Sequence, residues 1–166
     1  MDKLLEKISS YHFLNTLIPG ACIAYLSNYF FGIDFLTEEL LYNILIIFIL
    51  GLISGRIGSV IIEPILKKTK IVCFEGYNSY LKASKKDEKM QELVTDNNLY
   101  RAMIAAFTFL FVEKLYLFLA EKWILFQEYG YIVILTFIII LYILSYRKQT
   151  NIISKRIKYV LSKEKK

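Results

Sequence analysis

Residues 131–146, with the sequence YIVILTFIIILYILSY, form an apolar stretch without a single charged side chain. An α-helix of about 20 apolar residues crosses the roughly 30 Å of hydrocarbon in a lipid bilayer. A surface helix of a soluble domain would instead show polar residues at every third or fourth position. The stretch therefore predicts a transmembrane helix.

Three further apolar blocks precede this one, and 56% of all residues are hydrophobic, against about 45–50% in ordinary soluble domains. Few short alternating runs are present, which disfavours strands. We expect an all-α integral membrane protein with four transmembrane helices, a helical segment between helices 2 and 3, and a helical C-terminal tail. The predicted spans are about 13–31, 41–62, 102–120 and 130–146.

The distribution of lysine and arginine predicts the orientation of these helices. The insertion at 63–101 and the tail at 147–166 are rich in basic residues. In contrast, all charged residues of the loop GIDFLTEEL are acidic. Cytoplasmic loops carry the excess of lysine and arginine in membrane proteins. We therefore expect both termini and the 63–101 insertion to lie in the cytoplasm.

Arg56 interrupts the second apolar block. An arginine facing lipid near the bilayer centre costs at least ~2.5–3.5 kcal/mol, so its helix face is expected to contact protein. Small residues at four-residue spacing let helix backbones approach closely. The predicted packing positions in this block are Gly51, Ser54, Gly55 and Gly58.

Glu113, in the third block, is the predicted partner of Arg56. Three interpretations remain open. The two residues form a buried ion pair that fixes the register of the helices; or they line a polar path through the bilayer together with Lys114; or Arg56 reaches the interface without a partner. Glu63 and Arg101 are a second predicted pair, at the cytoplasmic interface.

The cytoplasmic segments carry the candidate ligand residues. Thr95 to Asn98 have side chains typical of a helix N-cap. Alternatively, Asn97, Asn98 and Arg101 present donors into a shared cytoplasmic cavity. Spacing in the tail predicts a heptad seam that pairs with 71–98 or with another subunit, through Tyr146, Thr150, Ile153, Ile157 and Val160. Basic side chains here suit anionic lipid or a phosphate backbone. The predicted contacts are Asn97, Asn98, Arg101, Arg147, Lys148, Lys155, Arg156 and Lys158.

Catalytic motifs are missing from the sequence: it has no HExxH, GxSxG or CxxC motif and no phosphate-cradling glycine loop, each of which would place reactive groups at a fixed spacing. The single histidine, His12, lies where the first span begins. We therefore expect no enzyme activity, no metal site and no cofactor. We expect a chain of this size, with a polar seam and no catalytic set, to work by assembling, and oligomers of small multi-span subunits make pores.

Several motifs together resemble a group of small bacterial membrane proteins: IIEPILKK at the end of span two, YLKASKKDEKM and NNLYRAM in the centre, and SYRKQTNIISKRIK after span four. They are similar to the membrane effector of the Hailong anti-phage defence system. The resemblance implies a homo-oligomeric ion channel in the bacterial inner membrane, for which we take four subunits as the working number.

The same resemblance implies a nucleotidyltransferase partner that makes an oligodeoxynucleotide ligand, which holds the channel closed until infection. The ligand residues given above follow from the positions of basic and amide side chains, not from the resemblance. The alternative function is a membrane anchor or scaffold that recruits a soluble partner through its cytoplasmic segments.

Overall fold

The computed structural model describes the backbone of residues 2–87 and 89–164; the side chains of 2–12, 14, 124–127 and 163–164 are outside the description. Within these residues the chain forms five helices and no strands, which confirms the all-α fold. The helices are α1 (Asp2–Phe31), α2 (Leu40–Lys68), α3 (Tyr77–Ala83), α4 (Lys89–Lys122) and α5 (Ile124–Glu164).

Three segments among the described residues are long and apolar enough to cross a membrane, rather than the four predicted: α2, α4 and residues Glu128–Ser162 of α5. The first predicted span, 13–31, lies in α1 and is not one of them. Its polar side chains, such as Asn15, Ser27 and Asn28, lower its apolar character.

Close backbone contact joins α1 to α2. A side chain on Gly20 would overlap the carbonyl oxygen of Ile47, and one on Gly51 would overlap the carbonyl oxygen of Thr16. Pro19, next to Gly20, is fully buried inside α1. Glycine at both positions is what allows the two helices to approach this closely, as small residues do in membrane helix pairs.

Small residues also lie between α2 and α4. The Ser54 hydroxyl donates a hydrogen bond of 2.7 Å to the carbonyl oxygen of Ala102, and a Cβ on Gly58 would lie 2.9 Å from the carbonyl oxygen of Arg101. Gly55 differs, because a Cβ there would meet no atom within 4 Å. Three of the four predicted packing positions thus lie at backbone contacts within the chain, and Gly55 faces open space.

A π-helical turn, Gly58–Ile62, lies inside α2 between α-helical segments at Leu40–Ile57 and Glu63–Lys68. Pro64 explains it. In an α-helix the proline ring would clash with the carbonyl group of Val60, four residues earlier, and the missing N–H would leave that carbonyl unpaired. In the wider turn the Glu63 N–H bonds to the carbonyl of Gly58, five residues earlier, and not to the carbonyl of Ser59, as it would in an α-helix.

The core of the chain is thin, and apolar side chains cover its outside. Ile57, Ala105 and Leu141 form a small buried cluster, whereas most side chains of α5 are exposed over its apolar part. Exposed apolar patches of this extent mark surfaces that contact lipid or other protein. The exposed residues of α5 include Ile132, Val133, Leu135, Phe137, Ile139, Ile140 and Ile143.

The predicted N-cap at Thr95 to Asn98 is wrong, because α4 begins at Lys89. The six residues from Lys89 to Val94 contain no glycine or proline that would stop a helix, so the helix extends toward its N-terminus past the predicted cap. Asp87 takes the capping role: its carboxylate accepts a hydrogen bond of 3.0 Å from the Lys89 N–H. Thr95 bonds instead to the Gln91 carbonyl one turn earlier.

Candidate functional site

Arg56 lies on an exposed stripe of α2. The other exposed residues of this stripe are Tyr42, Leu45 and Ile49. The successive intervals from Tyr42 to Leu45, to Ile49 and to Arg56 are three, four and seven positions, which keeps all four on one side of the helix. The Arg56 side chain is also exposed, and it makes no hydrogen bond or ion pair with any residue that the structure describes. The predicted ion pair with Glu113 is therefore not formed within the chain, because Arg56 is exposed whereas Glu113 is buried against α1.

Glu113 lies inside the bundle, with 8% of its surface exposed. Its carboxylate accepts a hydrogen bond of 2.6 Å from the hydroxyl of Ser27, which is completely buried on α1. Lys114 is exposed, and its ammonium lies 5.8 Å from the centre of the Phe31 ring. Within the single chain, Glu113 is thus buried, whereas Arg56 and Lys114 are exposed.

Several charged side chains surround Glu63, near the end of α2. Its carboxylate contacts Lys67 of the same helix at 2.6 Å, Arg101 of α4, and Lys148 of α5 at 3.0 Å. We call Glu63, Lys67, Arg101 and Lys148 the Glu63 cluster. The predicted pair Glu63–Arg101 is confirmed, and it belongs to a larger group that ties three helices together.

Lys148 of α5 also forms hydrogen bonds with the π turn of α2. Its ammonium donates to the carbonyl oxygen of Ser59 at 2.7 Å and to the Ser59 hydroxyl at 2.8 Å. That carbonyl lacks its usual helical donor, because the Glu63 N–H bonds to Gly58 and Pro64 has no N–H. The proline therefore creates the acceptor that Lys148 uses.

A cleft of about 420 Å³ separates the tail from the start of α3. Two lysines on the tail, Lys155 and Lys158, contribute positive charge to it, and none of the described residues that line it is acidic. An anion is the ligand that this lining favours electrostatically. The described residues that line it are Gly76, Tyr77, Asn78, Lys155, Lys158, Tyr159 and Ser162.

The eight predicted cytoplasmic contacts fall into three groups. Arg101 and Lys148 belong to the Glu63 cluster, and Lys155 and Lys158 line the cleft. The other four belong to neither site. Exposed side chains are those of Asn97, Arg147 and Arg156, and the side chain of Asn98 is half-buried.

Sequence reasoning missed several residues that complete these sites. Lys67 stands four residues after Glu63, a spacing at which opposite charges meet on a helix, so the sequence did contain that signal. Pro64 was likewise a signal for an irregular turn. The Ser27 contact with Glu113 had none, because 86 residues separate the partners and only the packing of α1 on α4 brings them together.

No protein-family model, curated protein or solved structure significantly matches this chain.

Proposed function

We propose that this protein is an oligomeric membrane channel or pore-forming effector of the bacterial inner membrane, gated in the cytoplasm by an anionic nucleotide or oligonucleotide in anti-phage defence. Four spans would place both termini and the central insertion in the cytoplasm. The observation that carries the proposal is the exposed Arg56 in the middle of an apolar helix.

The position of Arg56 makes a single chain an incomplete unit in lipid. Eleven residues separate it from Lys67, which corresponds to about 16 Å along the helix. Helical side chains lean toward the helix N-terminus, which in the proposed orientation is away from the cytoplasmic phosphates. A lipid-facing arginine would cost at least ~2.5–3.5 kcal/mol. Assembly around a hydrated path removes that cost.

The contacts of α1 support its assignment as a transmembrane helix in addition to the three apolar segments. Its polar character comes partly from residues that the bundle covers: Ser27 is completely buried against Glu113, and Asn15 donates a hydrogen bond of 3.2 Å to the Thr95 carbonyl. A helix that is surrounded largely by protein needs less apolar surface than one surrounded by lipid. Low hydropathy is therefore compatible with a spanning α1.

Two features of the tail support assembly and an anionic ligand. The predicted heptad seam is not used within the chain, since Ile153 and Ile157 are exposed by about half, which leaves it available to another subunit. The cleft with Lys155 and Lys158 has a volume in the range of about 300–1,000 Å³ typical of small-molecule sites. A short nucleotide segment is the ligand we assign to it.

A membrane anchor that recruits a soluble partner is the second candidate. The same exposed seam favours it, because a partner helix could occupy the seam instead of another tail. In that case Arg56 would contact a partner or a second copy, and no ion path would exist.

Conductance of the purified protein in planar bilayers tests the two functions. The channel predicts a current that falls when an oligodeoxynucleotide is added on the cytoplasmic side. Arg56→Gln should shift the reversal potential toward cation preference, because it removes positive charge from the path. Arg147→Gln is the matched control, since Arg147 is also exposed but follows the apolar part of α5.

Folded, membrane-inserted protein that conducts no current with or without the oligodeoxynucleotide would favour the anchor. An equal shift of reversal potential in Arg56→Gln and Arg147→Gln would also contradict a path lined by Arg56.

A further inference from the structure

The Glu63 cluster holds more positive than negative charge. One carboxylate contacts three cationic side chains, from Lys67, Arg101 and Lys148. Two positive charges therefore remain uncompensated within the cluster. Cations gathered at the end of apolar helices, where the dielectric constant is lower than in water, attract an additional anion strongly.

The exposure of these side chains shows which charges an anion could reach. Glu63 is the most buried, with 11% of its side chain exposed, whereas Lys67 has 45%, Lys148 has 33% and Arg101 has 23%. The carboxylate thus lies at the base of the cluster, and the cations lie between it and the outside. An anion would meet nitrogen donors before it met the carboxylate.

The cations are held in place before any ligand arrives. Lys148 is fixed by the Ser59 carbonyl and hydroxyl as well as by Glu63. The ammonium of Lys67 lies 4.2 Å from the centre of the Phe74 ring. The Arg101 Nε is buried and has no acceptor among the described residues, so this guanidinium is only partly satisfied. Such preorganisation reduces the entropy lost on binding.

We propose that the Glu63 cluster binds a phosphate group that carries net negative charge. The donors come from Lys67, Arg101 and Lys148, and Glu63 sets their spacing without contacting the ligand. Phe74, whose ring contacts the Lys67 ammonium, is exposed by about half. This apolar neighbour would accept carbons of an anionic lipid, while the phosphate chemistry is shared with soluble phosphate.

This site is distinct from the cleft with Lys155 and Lys158, and the proposal does not require the protein to conduct ions. A protein that binds phosphate here but carries no current would retain this inference and lose the channel. A protein that conducts ions but does not bind phosphate here would support the channel and contradict this inference.

Thermal unfolding of the full chain in an uncharged detergent tests the proposal. Dioctanoyl phosphatidylglycerol, dioctanoylglycerol and inorganic phosphate are titrated separately, because a ligand that binds the folded state raises the unfolding midpoint with concentration. We expect stabilisation by phosphatidylglycerol and none by dioctanoylglycerol, which has the same acyl chains without phosphate. Stabilisation by inorganic phosphate as well, in competition with the lipid, would identify a soluble source.

Exposed lysines outside the cluster provide matched controls. Lys67→Gln and Lys148→Gln each remove a donor and should weaken the apparent affinity about tenfold, the typical effect of losing one charge-assisted hydrogen bond. Lys68→Gln and Lys82→Gln make the same change of charge at exposed residues that do not belong to the cluster and should leave affinity within about twofold.

The proposal is overturned if neither phosphatidylglycerol nor phosphate stabilises the wild-type protein. It is also overturned if the two control variants lose as much affinity as the cluster variants, because the effect would then be general surface charge. Lys67 is the more exposed of the two cluster lysines, so Lys67→Gln decides the question if Lys148→Gln does not fold.

Discussion

Glu63 and Glu113 are two buried carboxylates with opposite surroundings. Glu63 has three cationic partners from three helices, and Glu113 has one hydroxyl partner from α1. Removal of either interaction leaves polar atoms without partners inside a structure that has few buried residues. Stability should therefore respond to both, through different mechanisms.

Glu63→Gln should lower the free energy of unfolding by about 1–3 kcal/mol. The substitution leaves three cations close together without their counter-charge, although their partial exposure to solvent reduces the cost below that of a fully buried pair. Thermal unfolding in detergent measures the effect. Glu92→Gln, at an exposed position of α4, is the control and should change little; equal midpoints for both variants would contradict a structural role for the cluster.

Ser27→Ala should destabilise the protein by about 1–3 kcal/mol, because it leaves the buried Glu113 carboxylate without its hydroxyl donor. Glu113→Gln in the Ser27→Ala background should recover part of this loss, since a neutral amide is less costly to bury than a charge. Ser79→Ala, on the exposed side of α3, is the control in the same unfolding assay. A Ser27→Ala variant as stable as this control would contradict the importance of the buried hydrogen bond.

At the scale of helices, the glycines of α2 fill different roles despite their regular spacing. Gly51 touches the backbone of α1 and Gly58 touches α4, whereas a Cβ on Gly55 would meet no other described part of the chain within 4 Å. A spacing motif identifies helix faces that can pack closely, but it does not identify the partner of each glycine.

Gly51→Ala and Gly55→Ala provide a matched pair on one helix. Gly51→Ala should separate α1 from α2 and lower the unfolding midpoint strongly, because the added Cβ would overlap the Thr16 carbonyl. Gly55→Ala should be neutral or stabilising by up to about 1 kcal/mol, since alanine is the better helix former. Similar midpoints for the two variants would contradict the close crossing of α1 and α2.

Gly55 carries a further test of assembly. If its open face contacts another subunit, Gly55→Ala should shift the protein toward smaller species in detergent while the fold of the single chain is preserved. Light scattering coupled to size-exclusion chromatography separates the two effects.

At the scale of the whole molecule, the sequence indicated the helices well and their contacts poorly. The apolar block 41–62 lies within Leu40–Lys68, and the predicted extension of span four into the tail is confirmed by the unbroken helix Ile124–Glu164. Periodicity and breakers determine such features locally. The partner of Glu113 depended on how α1 docks, which no local pattern encodes, and the predicted pair of Glu113 with Arg56 is not formed within the chain.

The tail seam provides the test of assembly at this scale. In a chain with Cys22 and Cys73 replaced by serine, Ile157→Cys should form disulfide-linked dimers in oxidised membranes if two tails pair through the seam. Asn151→Cys is the control, because it is exposed but lies at least about 100° around the helix from the seam residues. Equal cross-linking at both positions would indicate random collision instead of a defined pair.

The tail and the last apolar segment are parts of one continuous helix, α5. Lys148, which is bonded to Ser59 and Glu63, is the point about which this helix would pivot. Lys158 lies about 15 Å from this point along the helix and Gly130 about 27 Å on the other side. If α5 pivots as a rigid helix at Lys148, sideways movement of the cleft end by one ångström would move the Gly130 end by almost two in the opposite direction.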